Sequence, residues 1–497
     1  YERSRGTAWG AVIRRRGLCP CLRLKRPVDP VELDTKTLRA AAVVLNPTVA
    51  VTVLNPATEQ TIAELPEAGV EETDEAVARA RAAFPAWREV PPSHRARMLR
   101  RLATLVEEHG EELALIETRN VGKPISDSRG EVGMVAEVFN FYAGAVDKHL
   151  GETIPVAGGV DLTFHEPLGV VGLIVPWNFP LNIASWKLGP ALACGNTVVL
   201  KPAELTPLST LRLAELALEA EIPEGVVNVL VGPGRVVGQR LVEHPEVAKI
   251  GFTGSTEVGR GVMAAAAHTI KRVTLELGGK SANVVFADAD LEAAAASAPL
   301  AVFGNAGQDC CARSRIVVER SVYDRFLELL VGATSGIRVG DPEDEETEMG
   351  PLISAEQRER VSSYVDGNVA YRGNTPDGSG FWFPCTIVEA TNDDRIAREE
   401  VFGPVAAVIP FEDEADAVRI ANDTLYGLSG SIWTENGARA LRVARALETG
   451  VLSVNSNTSV RASTPFGGFK QSGFGRELGM HALDSYSEIK NVFVSTG

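Results

Sequence analysis

From Val170 onward the hydrophobic positions fall into short, unbroken, β-branched runs: Val170 to Val175, Thr197 to Leu200, Val226 to Val231, Ala248 to Phe252 and Ala282 to Phe286. Strands apolar on both faces belong to a parallel sheet covered on each side, and the helical stretches between them predict β-α units. A second alternation follows Cys310, with Ile316 to Val318, Val405 to Ile409 and Val451 to Val454 as strands. Upstream, after extended stretches ending in Asn46-Pro47 and Asn55-Pro56, the pattern turns helical, and Leu99, Leu102, Val106 and Leu113 recur at helical spacing. Ser93 is expected to cap that helix, and Thr73, followed by Asp74 and Glu75, an earlier one. The pattern therefore predicts two α/β domains and no solenoid period. At the far end Tyr486, Ile489, Val492, Phe493 and Val494 read as a β-strand, which needs a neighbour to stay ordered. With the hairpin-like run Glu152 to Thr163 it is expected to form a flap that pairs with another subunit in a homo-oligomer.

Composition narrows the class. The 497 residues, 45% apolar and 23% charged, suffice for two or three packed domains. The formal charge of -16 argues against a general nucleic-acid or membrane-surface binder. The longest apolar stretches, Ala40 to Leu54 and Ala293 to Gly304, fall short of the ~18 residues that span a bilayer and are interrupted by Pro47 and Pro299. Six cysteines (Cys19, Cys21, Cys194, Cys310, Cys311, Cys385) are too sparse for a disulfide framework and lack zinc-site spacing, so a reducing cytoplasm suits them. Residues 1–45 form a basic extension, with Arg14-Arg15-Arg16 at its centre. Without an apolar h-region it reads as a disordered tail or a mis-assigned start in preference to a targeting peptide, and Cys19 and Cys21 as surface thiols.

Several motifs carry candidate chemistry. Gly232-Pro233-Gly234 with Gly238 follows a predicted strand and suits a pyrophosphate, although such turns are equally common as plain turn chemistry. Phe252-Thr253-Gly254-Ser255 repeats the arrangement one β-α unit later and strengthens the dinucleotide reading. Cys310 follows Gly307-Gln308-Asp309, turn formers that place a thiol at a bend; a buried small hydrophobe is the alternative, and the one assigned to Cys311. Glu276 is flanked by Leu275 and Leu277, and burial there would raise its pKa toward that of a general base, whereas a salt-bridged structural glutamate is the commoner case. Asn178, in Pro176-Trp177-Asn178-Phe179-Pro180, offers an amide donor that ties down a loop or holds an oxyanion.

Taken together these segments resemble the aldehyde dehydrogenase superfamily over about Val53 to Val494. The likeness rests also on Trp186-Lys187-Leu188-Gly189-Pro190, Lys201-Pro202-Ala203-Glu204, Glu400-Val401-Phe402-Gly403-Pro404 and Pro465-Phe466-Gly467-Gly468. The resemblance implies a Rossmann-type cofactor domain (46–147 and 168–277), an α/β catalytic domain (278–483) and a small β oligomerisation flap (148–167 and 484–497), assembling as a homodimer or homotetramer. It implies that Cys310 attacks the aldehyde and that Asn178 and the Cys310 backbone N–H hold the oxyanion of the thiohemiacetal. Hydride transfer then leaves a thioester, and Glu276 activates the hydrolytic water; relatives that pass the acyl group to coenzyme A generally lack this glutamate. Lys187 becomes a catalytic-site lysine. Trp177, Lys201, Glu204, Gly234, Ser255, Glu400 and Phe402 become cofactor residues, and no metal is required. A carboxylate at Glu204 would repel a 2′-phosphate, so NAD is favoured over NADP.

By the same resemblance Phe179, Trp186, Val460 and Phe466 surround the aldehyde tail, with Asp309 beside the nucleophile. Aromatic walls suit an alkyl chain or an ammonium group, and Asp309, assisted by Glu131 or Asp127, would favour a cationic tail unless it is merely a turn residue. The segment around Asn455 to Asn457 and Arg461 to Gly475 looks most like betaine-aldehyde and aminoaldehyde dehydrogenases, whereas Arg461 would attract a carboxylate such as that of succinate semialdehyde. Aliphatic aldehydes and a non-catalytic member of the fold are the remaining alternatives. The likeness departs at Cys385, where a proline is expected, and in a short loop within 365–385.

Overall fold

A computed structural model describes residues 50–497; the basic extension and the Cys19 and Cys21 thiols lie outside the described residues. The five apolar runs that open the first alternation are all strands. Val170–Ile174 lies in the middle of a six-stranded sheet, with Thr197–Lys201 and Val227–Val229 parallel on one side and Val247–Thr253 and Arg272–Glu276 parallel on the other. Gly473–Phe474 closes the far edge antiparallel to Arg272–Glu276. Ala282–Val285, the fifth run, opens a second sheet of seven strands instead. There it pairs in parallel with Arg315–Glu319 and Ser429–Trp433, and only the edge strand Asn368–Arg372 runs antiparallel. Both sheets are therefore of the buried, helix-covered kind that continuous β-branched runs encode.

Three boundaries differ from the sequence reading. The run Val226 to Val231 contracts to Val227–Val229 because the chain peels away to accept from the Ala68 N–H through the Val231 carbonyl (2.8 Å). The helix Val70–Arg88 starts before Thr73: Gly69 is its cap and donates its N–H to the Glu72 carboxylate (2.8 Å), while the Thr73 hydroxyl back-bonds to the Gly69 carbonyl (2.6 Å). Asp74 thus leaves the first turn and pairs with Arg240 instead. Likewise Ser93 lies inside the helix Pro92–Glu108, which Pro92 starts with its fixed φ and missing donor.

The terminal strand Ser487–Ser495 finds its neighbour within the chain, pairing antiparallel with Gly159–Pro167, which in turn pairs with Thr153–Val156. This three-stranded sheet leaves Phe164, Ile489, Phe493 and Val494 exposed. Among the described residues, no helix is long and apolar enough to cross a membrane. Cys385 sits in the core of the second sheet with its sulfur 3.5 Å from that of Met349, so the residue in the expected proline position is packed.

Candidate active site

The parallel strands of the first sheet end on one rim, and their C-terminal turns build the site, as α/β sheets commonly arrange it. Val170–Ile174 delivers Pro176 to Phe179, Val247–Thr253 delivers Gly254 and Ser255, and Arg272–Glu276 ends on Glu276 itself. Facing them from the second sheet are Cys310, ahead of Arg315–Glu319, and Glu400 and Phe402, ahead of Val405–Phe411. Between them lies a cleft with about 700 Å³ of empty space, bordered by Trp177, Asn178, Phe179, Ser255, Glu276, Cys310, Glu400 and Phe402.

The turns after the strands of the first sheet, with Glu400 and Phe402, have the character of a dinucleotide site. Lys201, at the end of its strand, pairs with Glu204 at 2.9 Å, and the other Glu204 oxygen accepts from the Gly234 N–H at 2.9 Å. Burial opposes the charge on Glu204, but Lys201 and the backbone donors outweigh it and hold the carboxyl below its usual range. Gly234 opens a π-helical turn, Gly234–Gly238, so the glycine-rich turn leads into helix as the motif required. Ser255 caps the helix Thr256–Ala267, accepting from the Val258 N–H at 3.3 Å, so the helix begins at the groove wall. Glu400 accepts from the Gly279 N–H at 2.9 Å, and burial pushes its carboxyl up to about 7. Trp177 and Phe402 meet edge to face, ring centres 5.3 Å apart. Phe402 has a left-handed backbone (φ 59°), held by Gln357, whose amide donates to its carbonyl at 2.7 Å. Two carboxylates, a lysine and a helix start are a set of acceptors and donors that fits a dinucleotide.

Cys310 follows a backbone wound into the left-handed region at Asn305, Ala306 and Gly307 (φ 49°, 53° and 68°). Such strain persists only where neighbours over-determine it. Gln308 does so here: its buried amide donates to the Asn305 carbonyl (3.1 Å) and accepts from the Ile353 N–H (2.9 Å). Contact with Cys311, and then burial, push the Cys310 thiol well above its ordinary value, so the resting sulfur is protonated. Asn178 donates its side-chain amide to the Gln308 carbonyl at 2.9 Å, which ties the two loops together, and it borders the cleft that Cys310 also lines.

Glu276 is not salt-bridged. Both carboxylate oxygens are buried without a hydrogen-bond partner, and burial, then the nearby Glu477, hold the group well above the usual carboxylate range. Lys187 is completely buried and paired with Glu477, a residue the sequence reading passed over. Trp186 and Phe466 pack edge to face at 5.1 Å, and Val460 and Phe179 pack against the same core as Cys310.

The expected cation site is altered. Asp309 behaves as the turn residue of the alternative reading, its carboxylate accepting from the Cys311 N–H at 2.8 Å. Glu131 is held by Lys123 (2.7 and 2.8 Å), and the Lys123 ammonium stands 4.4 Å from the centre of the Phe179 ring. A cation of the chain itself thus stands over the ring that the resemblance assigned to the substrate tail. Burial pushes Glu131 up to about 8 and raises Asp127 and Asp309, so the carboxyls near Lys123 resist carrying charge together. Arg461 is exposed.

A paired-sheet α/β enzyme with a thiol and a partnerless carboxylate across a dinucleotide-type groove is the class that this geometry defines. The aldehyde dehydrogenase family profile matches residues 46–492, and the chain belongs to that family. It is 42% identical over 459 residues to the betaine aldehyde dehydrogenase of Bacillus subtilis, covering 89% of this chain and 94% of the relative. It is 45% identical over 462 residues to the phenylacetaldehyde dehydrogenase of Pseudomonas fluorescens, covering 89% and 92%. The NAD+ complex of an aldehyde dehydrogenase from Bacillus cereus superposes with a TM-score of 0.89 at 41% identity, covering 93% of this chain and 98% of that one.

Proposed function

We propose that this protein oxidises an aldehyde to its carboxylic acid with NAD as acceptor. The observation that carries the proposal is the single cleft bordered by Cys310, Glu276, Asn178 and the Trp177–Phe402 wall. Lys201 and Glu204 would hold the adenosine ribose, Gly234 and the helix start at Ser255 the pyrophosphate, and Glu400 the nicotinamide ribose. Bound NAD supplies acceptance of hydride from the substrate carbon. The Cys310 sulfur adds to the carbonyl carbon, its proton passing to a base, and the resulting oxyanion is held by Asn178 Nδ2 and the Cys310 N–H. After the carbon loses hydride, a thioester remains on Cys310. Glu276, held well above the usual carboxylate range by burial, takes in its ionised form a proton from the water that cleaves it. Lys187 and Glu477 keep a charge pair behind Glu276.

In this assignment 46–147 and 168–277 form the NAD-binding domain and 278–483 the catalytic domain. Residues 148–167 with 484–497 form the flap through which a homodimer or homotetramer assembles.

For the tail, the carboxyls of Asp127, Glu131 and Asp309 around Lys123, whose charged forms a bound cation would favour, support an aminoaldehyde or betaine-aldehyde type substrate, consistent with the Bacillus subtilis relative. A second reading, an uncharged aromatic aldehyde of the phenylacetaldehyde type, is favoured by Lys123 already occupying the face of Phe179. Initial rates of NADH formation with 4-aminobutanal, betaine aldehyde, hexanal, phenylacetaldehyde and succinate semialdehyde, with Cys310→Ala as blank, test both. Cysteine-dependent turnover led by the cationic aldehydes supports the first reading and turnover led by phenylacetaldehyde the second; NAD binding without turnover of any would overturn the assignment.

A further inference from the structure

Away from the cleft, at the base of the three-stranded sheet, three metal-ligating side chains from three segments converge. His149 precedes the strand Thr153–Val156, His165 lies in Gly159–Pro167, and Asp484 ends the helix His481–Asp484, just before the terminal strand. One donor atom from each lies within 4.8 Å of the other two. Nε2 of His149 and an Asp484 oxygen are hydrogen-bonded at 2.9 Å, and an ion replacing the shared proton would hold the two atoms about 3.3–3.6 Å apart in a tetrahedral site with bonds of about 2.0–2.2 Å. The two imidazoles lie close together, ring centroids 3.6 Å apart and planes inclined by 35°. Ser487 sets the tautomer of His165. Its only hydroxyl proton goes to the Leu483 carbonyl (3.0 Å), so at 3.3 Å it accepts from Nδ1–H of His165. In that tautomer the lone pair of the neutral ring is on Nε2, the form a metal ligand needs, with Ser487 as the outer contact that orients the ring.

We propose that His149, His165 and Asp484 form a binding site for a divalent transition-metal ion of the zinc type, with water completing its coordination. Two imidazoles and a carboxylate suit a borderline ion such as Zn2+ better than the oxygen-seeking Mg2+ or Ca2+. The ion would pin the hairpin and the terminal strand to the end of the helix Ile125–Ala145, whose chain leads directly to His149. Its role is structural, because the site contributes no residue to the catalytic cleft.

Co2+ titration of the full-length, metal-stripped protein tests the site, since cobalt reports its ligands spectroscopically. Among the described residues the cluster of Asp309, Cys310 and Cys311 is the competing group, and binding through a thiol would give a thiolate-to-cobalt charge-transfer band. The expected result is one equivalent of Co2+ with visible d–d bands and no thiolate band, retained in Cys310→Ala. His149→Ala or His165→Ala should weaken binding by at least about 10- to 100-fold, the cost of losing even an outer-shell partner. Turnover with aldehyde and NAD serves as the folding check for these variants, and Asp484→Asn, which keeps the side-chain shape, should weaken binding in the same direction. Affinity unchanged in all three variants, a thiolate band, or loss of binding in Cys310→Ala would overturn the proposal.

Discussion

Gly279 lies directly against the backbone of Cys310: a β-carbon at 279 would stand 2.1 Å from the Cys310 carbonyl oxygen, with Leu428 on the other side at 3.4 Å. No side chain can yield at such a contact, so the Cys310 backbone must move. Gly279→Ala is therefore expected to lower turnover by about 100-fold, the effect of displacing a reacting group by about 1 Å. The same variant should slow alkylation of Cys310 by iodoacetamide. Normal alkylation and turnover in a folded variant would show that the approach is not limiting.

Asn178, the proposed oxyanion donor, gives its amide to the Gln308 carbonyl in the resting structure. Asn178→Ala should lower kcat by about 10²–10³, corresponding to ~2.7–4 kcal/mol of lost transition-state stabilisation, with a smaller change in KM. Transient kinetics should show the loss in the NADH burst. A loss confined to KM would assign Asn178 to loop anchoring alone.

Glu276 separates acylation from hydrolysis. With its carboxyl held well above the usual range, kcat should rise with pH as Glu276 loses its proton and then level off. Glu276→Gln should abolish that rise and retain a burst of about one NADH per active site, followed by slow turnover as the thioester accumulates. Rapid-quench detection of acyl-enzyme checks this, and a missing burst would place Glu276 before hydride transfer.

Burial of Glu400 makes a prediction about stability. Its carboxyl sits at about 7 in the folded chain, above its unfolded value, so the folded state binds the extra proton between them. The favourable contribution is fully present below the ordinary carboxylate range and is lost as pH rises through about 7. Glu400→Gln can keep the acceptor for the Gly279 N–H without the charge. Its Tm, measured without cofactor, should match the parent's near pH 4 and exceed it at pH 8, with a limiting gain of about 3 kcal/mol. Equal Tm values across the range would show that water reaches the carboxylate.

The strands of both sheets are legible in the sequence because runs such as Val170 to Val175 are apolar on both faces, a pattern that few other structures need. Helix starts are less so. Thr73 has the chemistry of a cap, yet the reciprocal contact of Gly69 with Glu72 begins the helix earlier, and glycine carries no side-chain signal. Cys310, Glu276 and Asn178 are visible through motif context, and the structure groups them around one cleft. Gln308, Glu477 and Lys123 are not, because their importance lies in partners 45, 290 and 8 residues away. A motif such as Glu276-Leu277-Gly278-Gly279-Lys280 announces itself locally; a buried lysine over a phenylalanine ring exists only after folding.

Lys123 is where the two substrate readings divide. Its ammonium holds Glu131 and covers Phe179, so a cationic tail must compete with it while a neutral ring need not. Removing Lys123 alone would strand Glu117, whose carboxylate lies 3.5 Å from the ammonium and has no hydrogen bond, and breaking such a buried pair costs about 3–5 kcal/mol. The informative variant is therefore Lys123→Met with Glu117→Gln, which removes both charges together. If the tail lies against Phe179 and Glu131, this variant should lower KM for 4-aminobutanal or betaine aldehyde about tenfold. That change corresponds to ~1.4 kcal/mol, within the range of a desolvated cation over an aromatic face. KM for phenylacetaldehyde should stay within about twofold. An unchanged KM for the cationic aldehydes, with turnover intact, would place the tail elsewhere and remove the carboxyls around Lys123 as a reason for selecting them.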